Sequence, residues 1–523
     1  MNLKKIAAQS LVIALFACGG GGSAPPPISK QQVAGLVSGD SPFAANCSVA
    51  GDSGEINYVN TEVEPFVAVH PNNPKVLLGA WQQDRWSSGG ANGVMVAVSI
   101  DGGTSWKRKA MPFSYCGAAS KGSAGDFERA SDPWVDIGPD GTMYAMGLVI
   151  NMSKLPNVNG FQNAMVMSRS TDQGVTWSEP VVLRGDGAQA LNDKNSMTVS
   201  KSNPNKVYAV WDRVVGDTGP VWLARSLDAG RSWLPAEKIY TPKYGVAIGN
   251  VMVVLKDGTL VDIFNSVHCG ETDAPCEWSV TAIRSTDDGQ TWSSAAIPVS
   301  ENYGSDVAHP LNAKGLRAPA LPSVALGPDD KIWVVWHDAR FSRNSINSVA
   351  LSSSIDGGRT WTAPLAINKD SGTHAFLPSI TVAKDGTIAV SHYDFRNYAS
   401  DPSKMLTNAW LLTSKDGKNW IETKIREPFD LTYAPNARGL FLGDYQGLLS
   451  LGNTFLPFYA QANPDANNRT DIYAVPITPS ASAMHQARSA MVLGNAQKAR
   501  LQTQTSAVMQ DWIRARLQPR GQP

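Results

Sequence analysis

The chain has 523 residues, 45 basic and 45 acidic side chains and only 17% charged residues, so it carries no net charge. That balance excludes binding of nucleic acid or another polyanion through bulk electrostatics. Several ordinary domains would fit in this length, yet one repeated motif runs through most of it, which points to one large domain.

In chain order, Met1-Asn-Leu-Lys4-Lys5 precedes an apolar run over 6–17 and then Cys18. A basic start, an apolar stretch and a small-residue site describe a bacterial secretion signal over 1–18, and Leu15-Phe16-Ala17-Cys18 resembles a lipoprotein box. Cys18 is then the expected lipid attachment site, and residues 19–58 form a Gly- and Pro-rich tether with an N-terminal extension. The expected location is extracytoplasmic, as an outer-membrane lipoprotein or a secreted or periplasmic protein, with membrane contact through lipid alone. Four further cysteines suit an oxidising compartment. Cys269 and Cys276 bracket one short loop and are expected to pair, leaving Cys47 for Cys116. No paired Cys-x-x-Cys or nearby histidine pair accompanies them, so neither a metal nor a cofactor is expected.

From residue 59 onward the sequence Ser-x-Asp-x-Gly-x-x-Trp recurs. It stands at Ser99-Ile-Asp101-Gly-Gly103-Thr-Ser-Trp106, at 170–177, 226–233, 285–292 and 354–361, with a shortened copy at Ser414-Lys-Asp416-Gly417-Lys-Asn-Trp420. Asp and Ser accept hydrogen bonds from nearby backbone N–H groups, Gly takes the positive φ that closes a hairpin, and Trp folds back as an apolar plug. The motif is a structural clasp, and six copies mark a radial array. Each unit begins with a short alternating strand (65–69, 133–137, 196–199, 251–254, 322–326, 378–382 and 445–451) and continues into a second (76–81, 143–148, 207–211, 260–264, 332–336, 388–393 and 455–459). Four-stranded units of this kind bury their faces only against one another. The expected fold is therefore an all-β propeller over 59–478, of seven blades with six as the alternative. After residue 479 the composition shifts to Ala, Gln and Arg with loosely helical apolar spacing, which predicts a short helical tail over 479–523.

In such a ring, residues just before the first strands and just after the second strands meet on one rim. After the second strands stand Trp81, Asp84 and Arg85, then His337, Asp338 and Arg340, then Asp394 and Arg396; before the first strands stand Glu64, Arg129, Asp132, Arg317, Arg438, Asp444 and Tyr445. Rings that stack on sugar faces beside charged forks that hold hydroxyls and carboxylates suit a carbohydrate site. The repeated aromatic-x-Asp-x-Arg pattern has a second reading, in which Arg85, Arg340 and Arg396 pair with carboxylates of their own rim loops.

The clasps, the Pro-initiated strands and Tyr445-Gln-Gly-Leu448 together resemble the sialidase superfamily, also called the Asp-box or BNR-repeat family, over residues 60–478. Its sialidases hold the substrate carboxylate with an arginine triad, attack the anomeric carbon with a glutamate-activated tyrosine and use an aspartate as acid and base, an exception to the two-carboxylate pattern. The resemblance implies Tyr445 as nucleophile; fitting the same scheme to the rim residues gives Glu64 as the base polarising it, Asp84 as general acid, and Arg85, Arg340 and Arg396 as a rearranged anion grip, with Trp81, His337, Asp338 and Asp394 lining the sugar, unless the substrate is another sugar. Two departures stand out. The Arg-Ile-Pro of the first blade is Val63-Glu64-Pro65 here, and the positions near Gly249 and Asn265 lack the family's glutamate and arginine. The implied function is an exo-acting glycoside hydrolase on terminal acidic sugars, with a carbohydrate as partner and a monomer as the working form. The alternatives are a polysaccharide lyase, with Tyr445 or His337 removing a proton beside a uronate carboxylate, and a non-catalytic glycan- or protein-binding propeller.

Overall fold

The computed structural model describes residues 34–504, except 46, 48–53, 154–155, 158, 217, 243–244, 269–276, 313, 344 and 480–483. Cys18 and the Cys269 to Cys276 loop lie outside the described residues. The molecule is an all-β propeller whose strands run up and down in antiparallel sheets, with one short helix over 495–504 among the described residues.

Among the described residues, hydrogen bonding groups the strands into six sheets rather than seven separate blades. The first holds eight strands in two consecutive four-strand meanders: Asn57–His70, Asn73–Trp86, Ala91–Ser99 and Lys107–Ala110, then Arg129–Ile137, Met143–Ile150, Asn163–Ser170 and Val181–Asp186. A single pairing, Ala91 with Ala130, joins the two meanders. Four-stranded sheets follow over 191–240 and 247–301. The sheets starting at Ser323–Leu326 and Ala375–Val382 are each widened by the C-terminal segment, through Arg488–Ser489 and His485–Gln486 respectively. The last sheet has three strands, Gly447–Leu451, Thr454–Asp465 and Asn468–Ala474, and its open edge is met by the N-terminal segment, where Leu36 bridges Tyr473 and the Val37 N–H donates to the Ile472 carbonyl at 2.9 Å. Chain ends more than 400 residues apart in sequence thus close the ring.

Apolar clusters sit between adjacent sheets and between the two meanders of the first, as expected when each layer buries both faces against its neighbours. The Ser-x-Asp turns are local and repetitive. Ser99 Oγ accepts the Gly103 N–H at 2.8 Å, Asp101 Oδ1 accepts the Ser105 N–H at 2.9 Å, and Trp106 Nε1 donates to the Gly103 carbonyl at 3.1 Å. Hydrogen bonds from Ser105 and its neighbours hold the Asp101 carboxyl down to about 2. The carboxyls at Asp172, Asp228 and Asp287 are depressed in the same way, which fits a clasp and no proton-transfer role. Cys47 and Cys116 form a disulfide across 69 residues. The tail docks on the ring: Leu501 is buried against Tyr303 and Ala339.

Candidate active site

The innermost strands share one irregularity. Their register with the second strands slips between Val63 and Phe66, between Ser131 and Trp134, between Ile248 and Val251 and between Phe376 and Ser379, with a slip opposite Lys194 as well. At each slip one residue takes a positive φ: Glu64 (54°), Asp132 (48°), Lys194 (45°), Gly249 (72°) and Leu377 (48°). Such bulges re-aim a side chain, and left-handed φ at non-glycine residues is held only where the surroundings impose it. Three consecutive inner strands thereby deliver Glu64, Asp132 and Lys194 to one place.

Lys194 is the hub. Its Nζ lies 2.6 Å from Asp444, 2.9 Å from Asp132 and 3.8 Å from both Glu64 and Asp193. Burial works against its charge, but the surrounding carboxylates outweigh burial and hold the ammonium firmly protonated. Asp444 also takes a two-pronged contact from Arg317, with Nε at 3.0 Å and Nη2 on the second oxygen. Burial would raise Asp444, but Arg317 and Lys194 keep it well below the usual carboxylate range. Asp132 is likewise ionised: against burial, Lys194 and the Ser131 hydroxyl at 2.6 Å hold its pKa down.

Glu64 behaves oppositely. Burial first, and then the neighbouring Asp132, push it up to about 8, against the pull of Lys194. Its carboxyl receives the Gln82 side-chain amide and, at 3.4 Å, the Asp444 N–H. Two buried carboxyls with pKa values driven apart are the arrangement that acid–base sites use.

A cavity of about 60 Å³ opens above this cluster, bordered by Arg85, Asp132, Asp193, Lys194, Arg317 and Arg438. That volume admits a carboxyl-sized substituent rather than a whole sugar ring. Arg85 and Arg317 both pack on the Phe441 ring, 4.8 and 4.4 Å from its centre. Burial and the nearby Arg317 lower the Arg85 guanidinium to about 10; its Nη1 donates to Gln82 at 2.6 Å while its Nε meets no acceptor among the described residues. A buried guanidinium crowded by a second one is stabilised by an anion placed between them.

Several residues expected at the site stand elsewhere. Asp84 is engaged with other partners: its side-chain oxygens accept from Ser41 Oγ (2.7 Å), the Asn60 N–H (2.9 Å), Asn92 and Gln83, pinning the N-terminal segment to the rim. Arg340 pairs with Asp338, Nε to Oδ1 at 2.9 Å, and lies over Tyr303. Arg396 pairs with Asp394 and Glu422 and lies over Trp410. These two arginines order their own rim loops and do not reach the mouth. Trp81 is wholly enclosed in the core, with Nε1 on Gln83 at 3.0 Å. His337 is buried and lowered to about 3, first by burial and then by His374, so it is a neutral core imidazole.

Tyr445 lines a separate cavity together with Lys194 and Asp444 and is absent from the lining of the small one. Its hydroxyl donates to the Pro133 carbonyl at 2.9 Å, its ring packs edge-on against Phe66 and Trp134, and burial followed by Glu64 raises its pKa well above normal. A phenol held in that way is not an activated nucleophile. Of the residues assigned from the sequence, Glu64 and Arg85 reach the site. Lys194 and Asp193 were missed altogether, and Asp132, Arg317, Arg438 and Asp444 were placed on the rim without a role. The available signal is positional: Asp132 and Lys194 stand in the first halves of inner strands, and Arg317, Arg438 and Asp444 in the stretches that lead into them.

No family model matches the chain. A sialidase of Bacteroides fragilis (strain YCH46) is 27% identical over 191 residues, which is 32% of this chain; the chain spans about a third, 33%, of that curated relative's length. Among solved structures, a protein of unknown function from Dyadobacter fermentans is similar with a TM-score of 0.42 and 14% identity, covering 83% of this chain and 100% of that one. The Hadza microbial sialidase Hz136 gives a TM-score of 0.42 and 17% identity, covering 77% and 74%. The α-L-arabinofuranosidase Arb93A of Fusarium graminearum gives 0.40 and 15%, covering 67% and 93%.

Proposed function

We propose that the protein is a glycan-active propeller and a glycoside hydrolase that removes terminal acidic sugars at the mouth formed by Arg85, Asp132, Lys194 and Arg317. The observation that carries this reading is the small cavity bordered by three arginines and an ionised, lysine-held aspartate. The partial sequence likeness to a sialidase supports the same class.

In this reading Arg85, Arg317 and Arg438 grip the sugar carboxylate through charge-assisted hydrogen bonds. The ring then lies over the cavity with its anomeric carbon near Asp132. Water attacks the anomeric carbon as its bond to the aglycone oxygen breaks; Asp132 accepts the water proton, the departing oxygen takes a proton from solvent, and the positive charge that develops on the sugar in the transition state is offset by the carboxylates around Lys194. Glu64, protonated at neutral pH, keeps the buried cluster from accumulating excess negative charge. Tyr445 acts as a positioning residue beside Asp444. Neither Tyr445 nor His337 is placed to act as the base of an elimination, which favours hydrolysis over lyase chemistry.

We further read the eight-stranded sheet as two blades joined by one bridge, which with the other five sheets makes seven. Secretion through residues 1–18, lipid on Cys18 and a monomeric working form belong to the same proposal. Asp132→Asn is expected to lose at least about a hundredfold in kcat with acidic-glycan binding retained. Full turnover by that variant, or a product with ultraviolet absorbance from a new double bond, would contradict the assignment.

A further inference from the structure

Beside the mouth lies a larger groove of about 930 Å³, which shares Arg438 with the small cavity. Four stretches distant in sequence meet to form it: 56–60 at the start of the first inner strand, 314–315, 432–440 and the hairpin at 466–469. Among the described residues its charged lining consists of Lys314, Arg438 and Arg469, without any Asp or Glu. In a chain with zero net charge, that is a local concentration of one sign.

The groove also has a built wall. The Arg469 guanidinium lies 5.2 Å over the Tyr58 ring, its Nη1 reaches the Tyr433 carbonyl at 3.3 Å, and its Nε meets no acceptor among the described residues. Asn436 and Asn467 add amide groups along the same surface. An aromatic ring, amides and cations form a surface for an anionic polyol, because the ring and amides suit sugar faces and hydroxyls while Lys314 and Arg469 offer N–H donors to an anionic group.

We propose that this groove is a second anion-binding subsite, which takes the next acidic unit of an oligosaccharide whose terminal acidic sugar occupies the mouth. The inference rests on the proposed function and deepens it: the substrate class becomes a glycan carrying at least two acidic residues in sequence. Arg438 lies between the two units and serves both. Lys314 and Arg469 contact only the inner unit, so they set affinity for the second charge and take no part in bond cleavage.

The test is calorimetric binding to the full chain, using two pairs of probes: sialyllactose against disialyllactose, and a hyaluronan disaccharide against the tetrasaccharide. Each pair differs by one carboxylate. In at least one pair the two-carboxylate probe is expected to bind more tightly. Lys314→Ala and Arg469→Gln are expected each to weaken that probe by about fivefold at low salt, while leaving the one-carboxylate probe unchanged. Lys314 is exposed, so its variant keeps the test sound if Arg469→Gln disturbs folding. Equal binding of wild type and both variants to the two-carboxylate probe, with Arg85→Ala abolishing binding, would overturn the subsite and leave the mouth intact. Failure of wild type to bind any of the four probes would overturn the functional reading and the subsite with it.

Discussion

At the residue scale the site is a problem in charge burial. Lys194 faces four carboxyls while only 3% of its side chain is exposed. Removing one partner of a buried ionic network leaves the others uncompensated, so Lys194→Met is expected to destabilise the protein by about 3–5 kcal/mol, read from urea unfolding. The pH dependence has two opposite parts. Asp132 and Asp444 are depressed in the folded state, so their stabilisation is present above the unfolded carboxylate pKa and is lost as the pH falls below it. Glu64 is raised, so its contribution is present in acid and fades as the pH climbs towards 8. Glu64→Gln should therefore match wild type near pH 4 and become relatively more stable between pH 7 and 9. A constant difference across that range would show that Glu64 is ionised in the native protein.

At the element scale, the clasps and the strands that carry them could be read from sequence because their hydrogen bonds span only four residues. Short-range chemistry repeats faithfully from unit to unit, and a substitution such as Asp287→Ala should lower the thermal midpoint slightly with kcat/KM unchanged. The mouth is harder to read for a physical reason. Whether Asp84 or Asp132 faces the axis depends on a bulge and a positive φ, and neither leaves a composition signal at Asp132 or Lys194. Aromatic-x-Asp-x-Arg at 336–340 and 392–396 allows two readings, ligand grip or ion pair, and Arg340 and Arg396 make the ion pairs with Asp338 and Asp394. A second buried carboxyl illustrates element-level strain: Asp262 on Leu260–His268 is fully enclosed, neither oxygen meets a donor among the described residues, and burial raises its pKa well above normal. Asp262→Leu is expected to stabilise the fold at pH 7 by about 1–3 kcal/mol, with the gain shrinking as the pH falls below the ordinary aspartate value of 3.8, where the aspartate is protonated in both states.

At the scale of the whole molecule, the site exists only because the ring closes. Asp132 and Lys194 come from early sheets, Arg317 from the connection before Ser323–Leu326, and Asp444 from the approach to the final three-stranded sheet. The N-terminal residues 36–38 pair with Asn468–Ala474, while Thr470 Oγ1 donates to the Glu62 carbonyl at 2.7 Å, two residues from Glu64. Deleting residues 34–38 should therefore lower both the thermal midpoint and turnover, since it loosens the seam beside the site. The most direct measurement of the central claim is steady-state hydrolysis of sialyl and uronate glycans by wild type, Asp132→Asn and Asp84→Asn. The account predicts turnover by wild type, its loss in Asp132→Asn, and its survival in whatever fraction of Asp84→Asn folds. Loss in folded Asp84→Asn with full activity in Asp132→Asn would contradict it.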